Sequence, residues 1–268
     1  MNLFTTTENS NISYSVDGSG PLNLVLVHGA GANSETNWGH LVRYFSTNYK
    51  VVRPNYSGSG ATTDNGESLT TAQLAEQVIA AAKAADALPF DLIGFSLGTS
   101  VATYIAAEYP EYVKSLILLA PYLKGNPRTK LQFELWKELS THNQRAMANL
   151  IIQTGFSANF SSAWDQSTMD QALENNINYG NWDGFKRQAE LLIHTDVIDQ
   201  AKKIHQPTLV IGCIYDYMVP YVFAKEVAEL IPQAEYTELE SGHMAVYEKP
   251  EEFLNLVNVF FSHHNASS

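Results

Sequence analysis

The sequence predicts a doubly wound, mostly parallel α/β sheet with a helical insertion late in the chain. Two observations carry that prediction. Short continuous apolar runs such as LVLV, DLIG and SLILLA alternate with amphipathic helical stretches, and this rhythm stops between about residues 124 and 203, where helical patterns follow one another without a strand. Continuous apolar runs suit strands covered on both faces, and strand–helix alternation is how a parallel sheet is wound. At 268 residues the chain is read as a single α/β domain, 1–268, with 124–203 as a helical cap insertion within it.

The elements follow in order. NISYSVDGSGPLNLVLVHGAG reads as two strands joined by a Gly/Pro turn, with Ile12, Tyr14 and Val16 alternating as in a half-buried strand. A helix with Trp38, Leu41, Val42 and Phe45 on one side comes next, then the strand KVVRPNY and the loop SGSGATTDNGES. LTTAQLAEQVIAAAKAAD is helical, with Leu74, Val78, Ala81 and Ala82 on one packed face. FDLIG is a strand, a helix from about Leu97 to Glu108 is stopped by Pro110, and SLILLAP is a buried strand. The insertion is rich in aromatics, among them Phe133, Trp136, Phe156, Phe160, Trp164, Trp182 and Phe185. Strands resume with PTLVIGC, a helix spans about Tyr221 to Leu230, AEYTELE is the last strand and PEEFLNLVNVFFSHH the last helix, leaving HHNASS as a frayed tail.

Bulk properties narrow the partners. A net charge of -12 argues against nucleic acid, which needs a basic face, and against an anionic membrane surface. No run approaches the roughly 20 apolar residues of a membrane span, and the N-terminus has neither a basic leader nor an apolar core of signal-peptide length, so a cytoplasmic location is expected. The single cysteine, Cys213, ends an apolar run and is read as a small core residue. No His, Cys or acidic cluster has metal-ligand spacing, and neither GSGATTDNG nor HGAGANS is a phosphate or dinucleotide loop, so no metal and no cofactor are expected. A small-molecule substrate is the expected partner. The composition leaves oligomeric state open.

The chemistry is read from three loops. DLIGFSLGTS sets Ser96 between Gly94 and Gly98, the spacing of a sharp strand-to-helix turn that lifts a serine oxygen above the sheet. A hydroxyl is a weak nucleophile at neutral pH and needs a base, which in turn needs an orienting acid. Asp216 follows the strand TLVIGC and His243 follows EYTEL, so all three residues stand just beyond strand carboxyl ends, the reactive edge of a parallel sheet. Asp196 and Asp199 are rival acids, but they end the insertion and follow no strand. His28 is read as a structural hydrogen-bonding residue. Negative charge on an attacked carbonyl oxygen calls for fixed donors: the backbone N–H of Leu97, at a helix N-terminus, and that of Ala30, in the glycine-rich loop HGAGANS.

LVLVHGAG, GFSLG, PTLVIGCIYDYMVP and SGHMAVYEKPEEF, taken jointly and in this order, resemble the α/β-hydrolase fold family, in particular its small ester-hydrolase-like branch with a helical cap. The resemblance runs from about Ile12 to Phe261. It implies Ser96 as nucleophile, Asp216 as orienting acid, His243 as base, and Ala30 and Leu97 as oxyanion donors. Two positions depart from the family pattern: Asn55 stands where Asp is usual, and Thr99 where a further Gly is common.

The expected activity is cofactor-free hydrolysis of a small ester, thioester or lactone through an acyl-enzyme. The same triad in this fold also serves lyase, C–C hydrolase and acyl-transfer chemistry, and a receptor that kept the pocket is a third class. Lys/Arg and Asp/Glu number nine each in 124–203, so the cap is balanced in charge while the acidic excess lies on the core. A balanced, aromatic roof suits a neutral, moderately apolar substrate. FSANFSSAW and NYGNWDGF pair aromatics across small polar residues and are read as loop or short-helix elements of that roof, with Trp164 and Trp182 facing the pocket.

Overall fold

The computed structural model of the protein describes residues 2–265. Its strands are β1 Leu3–Thr7, β2 Ser10–Asp17, β3 Leu22–Val27, β4 Tyr49–Pro54, β5 Thr63–Asp64, β6 Phe90–Phe95, β7 Val113–Leu119, β8 Thr208–Cys213 and β9 Glu235–Leu239. They form one sheet in the order β1-β2-β4-β3-β6-β7-β8-β9, with β5 beside β2. Pairs from β4 onward across to β9 are parallel, while β1, β4 and β5 each meet β2 antiparallel. The chain winds outward from β3 in one direction and from β6 in the other, so a topological switch point lies between them, where such sheets bind ligands.

The apolar runs sort by strand alternation onto two faces. Val25, Val27, Leu92, Leu116 and Leu118 pack against α3 (Thr71–Ala84) and α4 (Leu97–Glu108). Leu24, Leu26, Ile93, Ile117 and Leu119 pack on the other face with Trp38, Phe45, Phe253 and Phe260, from α1 (Ser34–Trp38), α2 (Val42–Phe45) and α13 (Pro250–Asn265). Helix α3 begins where Thr70 and Gln73 form a reciprocal capping box. The segment around Trp38 is two short helices rather than one: Leu41 N–H turns back to Trp38 O at Gly39–His40, a tighter turn than an α-helix makes. Trp38, Leu41, Val42 and Phe45 still reach one cluster.

Between β7 and β8 come α5 Pro127–His142, α6 Gln144–Gly155, α7 Ala158–Ser162, α8 Gln166–Tyr179, α9 Trp182–His194 and α10 Ile198–Ala201. The two ends of this block meet in a bridge between Lys124 and Asp196, flanked by Gly125 N–H to Thr195 O and Val197 N–H to Leu123 O. After β8 come α11 (Val222–Leu230), β9 and α12 (Ala245–Glu248).

Besides the split at Gly39–His40, three features differ from the sequence reading. β1 and β5 are additional strands; β1 is an edge with Leu3 and Phe4 exposed, so burial imposes little pattern on its residues. NYGNWDGF does not stay out of long helices. Asn181 caps Gly184 N–H, and α9 starts at Trp182 and runs through Phe185. The beginning of HHNASS is helical: His263 and His264 belong to α13, where His264 meets Glu235 and the Phe260 ring, and residues 266–268 lie outside the described residues. No described helix is long and apolar enough to cross a membrane.

Candidate active site

The turn at Ser96 is built by two close approaches. Ser96 itself takes φ 53°, ψ −120°, a conformation unfavourable for a residue with a side chain. A Cβ on Gly94 would lie 2.5 Å from Gly98 O, and one on Gly98 would lie 2.5 Å from Val27 O. Only glycine lets α4 fold back this tightly against β6 and β3. Thr99, the departure noted above, reinforces the turn: its hydroxyl donates to Ser96 O at 2.5 Å and accepts from Tyr122 N–H at 3.0 Å.

His243 Nε2 lies 2.9 Å from Ser96 Oγ, and His243 Nδ1 lies 2.6 Å from Asp216 Oδ2. A carboxylate accepts and cannot donate, so this geometry assigns the proton to Nδ1 and leaves Nε2 to accept from the serine hydroxyl. Asp216 is held in turn by Met218 N–H and Val219 N–H, each 2.8 Å from Oδ1. Both Asp216 and His243 are buried. Asp196, by contrast, is half exposed and paired with Lys124 at 2.8 Å. The structure thus brings Ser96, Asp216 and His243 together and leaves Asp196 outside.

The loops carrying Asp216 and His243 are tied to each other by Ile214 N–H to Leu239 O and Tyr215 N–H to Ser241 O. Glu248 adds a buried anchor that sequence reasoning missed. Its carboxylate accepts from Gly242 N–H (3.1 Å), from Ser157 N–H (3.0 Å) and from the Ser157 hydroxyl, joining the base loop to the start of α7. Met244 N–H donates to Gly155 O, so the end of α6 lies over the residue next to His243.

Near Ser96, Gly29 N–H donates to Asn37 Oδ1 and Gly31 N–H to Gln188 Oε1, both at 2.9 Å. Ala30 N–H, between them, has no protein partner among the described residues, and neither has Leu97 N–H. Two donors therefore remain available beside Ser96. His28 is fully buried, its Nδ1 2.8 Å from Gly29 O and its ring stacked on Tyr56 at 4.0 Å. Burial lowers its pKa to about 4, which keeps the ring neutral. Tyr56 donates to His28 O, and Asn55 bridges Ser34 N–H and the Ser13 hydroxyl. Thr62 gives its hydroxyl hydrogen to Asn55 O, so Ser13 gives its own to Thr62 Oγ1 and is left to accept from Asn55 Nδ2, a donor that an ionised Asp lacks. Burial also pushes the Cys213 thiol well above its ordinary range, as befits a core residue.

Trp164 follows α7 and packs against Phe156 at 4.9 Å and Phe160 at 5.8 Å. Trp182 lies edge-to-face with Phe185 at 6.1 Å and donates from Nε1 to Ile177 O. Both are half-buried in the helical block between β7 and β8, and neither bonds a residue of the Ser–His–Asp chain.

The family model described as "alpha/beta hydrolase fold" matches residues 23–250. A pyrrolizixenacetamide deacetylase of Xenorhabdus hominickii is 47% identical over 250 residues, covering 93% of this chain and 94% of that protein. A pimeloyl-[acyl-carrier protein] methyl ester esterase of Hamiltonella defensa is 27% identical over 256 residues, covering 91% and 94%. Among solved structures, MGS-M2, an alpha/beta hydrolase enzyme from a Medee basin deep-sea metagenome library, superposes with a TM-score of 0.89 at 24% identity, covering 97% of each chain.

Proposed function

The chain belongs to the alpha/beta hydrolase fold family, a family of hydrolases, and from that premise we propose that it is a serine hydrolase that cleaves a small, neutral acyl compound through an acyl-enzyme at Ser96. The observation that carries this reading is the unbroken chain Ser96–His243–Asp216, at 2.9 and 2.6 Å, beside two unoccupied backbone donors. His243 Nε2 takes the Ser96 proton as Oγ attacks the carbonyl carbon, and Asp216 stabilises the imidazolium that results. The carbonyl oxygen gains its charge within reach of the Leu97 and Ala30 N–H groups. His243 then gives its proton to the leaving group as the bond to carbon breaks. Water, deprotonated by the same nitrogen, attacks the acyl carbon, and His243 returns that proton to Ser96 Oγ as the bond from Oγ to the acyl carbon breaks and the acid leaves. No step calls on a cofactor.

Esters, thioesters and lactones fit this scheme, and one observation extends it to amides. The relative at 47% identity carries the name of a deacetylase of an acetamide. An amine is a poor leaving group until protonated, so the imidazolium of His243 would matter most for such a substrate. The insertion 124–203 is read as the cap of the one domain, with Trp164 and Trp182 in its roof. Trp164 would act through Phe156, which follows the Gly155 carbonyl that holds Met244.

The test is a panel of p-nitrophenyl acetate, butyrate and octanoate beside N-acetyl arylamines, with serine-directed fluorophosphonate labelling. Expected are turnover of the short acyl members and a single label on Ser96. A label mapped elsewhere, or no turnover of any member by protein whose Ser96 labels fully, would reject the reading. Acetyl-amide cleavage at a rate near that of the ester would favour the deacetylase form.

A further inference from the structure

The loop from β3 to α1 is pinned on both sides of Ala30, and one of the pins comes from the cap. Gly29 N–H and Gly31 N–H belong to the peptide planes before and after the plane that carries Ala30 N–H. Asn37 Oδ1 holds the first and Gln188 Oε1 the second, each at 2.9 Å. With both neighbours fixed, the middle plane loses most of its freedom to rotate, and the direction of Ala30 N–H is set. We propose that Gln188, on helix α9, is a positioning residue that aims the Ala30 N–H at the oxyanion. The proposal rests on the reading of Ser96 and Ala30 given above.

The Gln188 side chain is fully buried, and every group on its amide is used. Nε2 donates to Ser57 O at 3.1 Å and to Ser59 Oγ at 2.8 Å, while Oε1 accepts from Gly31 N–H. The orientation is unambiguous, because Gly31 N–H can only donate and Ser57 O can only accept. The helix is seated by Gly184, four residues earlier on the same face. A Cβ there would fall 2.1 Å from Gly58 O, so the two backbones touch and α9 has little room to slide. Phe185 closes the other side: a Cβ on Gly31 would meet its ring at 2.8 Å. Gly31, at φ +71°, therefore sits in a socket formed by α9, with Gln188 as the polar contact.

Arg187, the preceding residue, supplies the control. It grips Asp64 with both carboxylate oxygens (2.9 and 3.0 Å) and Glu67 O, fastening the same helix to the core without touching the Ala30 loop. Kinetics on p-nitrophenyl acetate with Gln188→Met, Gln188→Glu, Arg187→Ala and Ser96→Ala separate positioning from mere attachment of the cap. Gln188→Met keeps the volume and removes the hydrogen bonds, and its kcat is expected to fall about 10- to 100-fold with KM within about threefold, because a misaimed donor weakens the transition state more than the ground state. Gln188→Glu keeps an acceptor for Gly31 N–H and should recover about tenfold of that loss. Arg187→Ala should lower the melting temperature while leaving kcat within about threefold. Wild-type kcat in Gln188→Met, or an equal kcat loss in Arg187→Ala, overturns the proposal. If Gln188→Met does not fold, Gln188→Glu decides: kcat within about tenfold of wild type supports the proposal, and a fall to the Ser96→Ala background overturns it. Activity surviving in Ser96→Ala would instead bring down the reading of the site, and this proposal with it.

Discussion

At the scale of single residues, the side chains around Ser96 divide by the proton each can hold. Ser96→Ala removes the proposed nucleophile and is expected to cut turnover of a short ester by at least about three orders of magnitude, measured with initial rates on p-nitrophenyl acetate. Asp216→Asn should lose about as much while circular dichroism stays unchanged, because an amide can hold the imidazole in the wrong tautomer. Asp196→Asn should run near the wild-type rate, since that carboxylate hydrogen-bonds Lys124 and Ile198 N–H, away from Ser96 and His243; a dead Asp196→Asn beside an active Asp216→Asn would reverse the assignment. His28 makes a pH prediction. Its folded-state pKa is lowered to about 4 by burial, and Nε2 has no hydrogen-bond partner among the described residues, whereas an imidazole in the unfolded chain titrates near about 6.5. Below that value the unfolded state binds a proton that the native state refuses. Stability present at neutral pH is therefore lost as pH falls from about 6.5 through 4, by up to about 3 kcal/mol. Urea unfolding across this window should give a shallower pH dependence in His28→Gln than in wild type; parallel curves would show that His28 is not the group responsible.

At the scale of elements, the elbow between β6 and α4 depends on backbone contact and the cap on aromatic contact. Gly98→Ala places a methyl group 2.5 Å from Val27 O and 2.6 Å from His28 O, with backbone on both sides and nothing flexible to yield. Severe destabilisation, about 3 kcal/mol or more, is expected in a thermal melt. Gly66→Ala is the opposite case: its φ is positive (79°) but open space surrounds it, so only about 1–2 kcal/mol of backbone strain is expected, whereas Gly98 lies in α4 without a positive φ and its cost is steric. A loss at Gly98 no larger than that at Gly66 would mean that the backbone around Gly98 yields and the close contacts do not set the cost at the elbow. In the cap, Trp164→Ala and Trp182→Ala are expected to raise KM for bulky apolar esters more than for acetate, as lost remote contacts act first on binding. A drop in melting temperature with the ester ranking unchanged would assign both rings to packing alone, against Phe156 and Phe160 in one case and Phe185 in the other.

For the whole molecule, the question is whether the α5–α10 block and the rest of the chain unfold as one. Phe133, Trp136, Phe185, Leu191 and Leu192 of the insertion share an apolar cluster with Leu74 of α3, Val101 of α4 and Leu118 of β7. The polar seam is also continuous: Arg187 on Asp64, Gln188 on Ser57 and Ser59, and Tyr122 Oη donating to Leu192 O. Separating the two would strand apolar surface on both sides, at roughly 25 cal/mol for each Å² exposed. One calorimetric unfolding transition is expected, with matching midpoints for tryptophan fluorescence, which the cap dominates, and far-ultraviolet circular dichroism. Two separate transitions would make the insertion an independent domain.

What the sequence determined by itself is whatever local pattern encodes. Continuous apolar runs mark β3, β6, β7 and β8 because strands buried on both faces admit little else. Ser96, Asp216 and His243 were legible because each directly follows a strand, so knowing where the strands end is enough to bring them to one edge. Gly94 and Gly98 were legible because only glycine permits the turn. The docking of one segment on another was decided by the tertiary structure. Gln188 reaches Gly31 across 157 residues and Glu248 reaches Ser157 across 91, with no shared periodicity to announce either contact. Asn55 illustrates the same division: the sequence showed a departure from the family pattern, and only Ser13 and Ser34, brought to it by β2 and α1, explain why an amide serves there. Local patterns fix backbone geometry through sterics and burial, whereas a hydrogen bond between distant segments exists only once the packed core has fixed the distance between them.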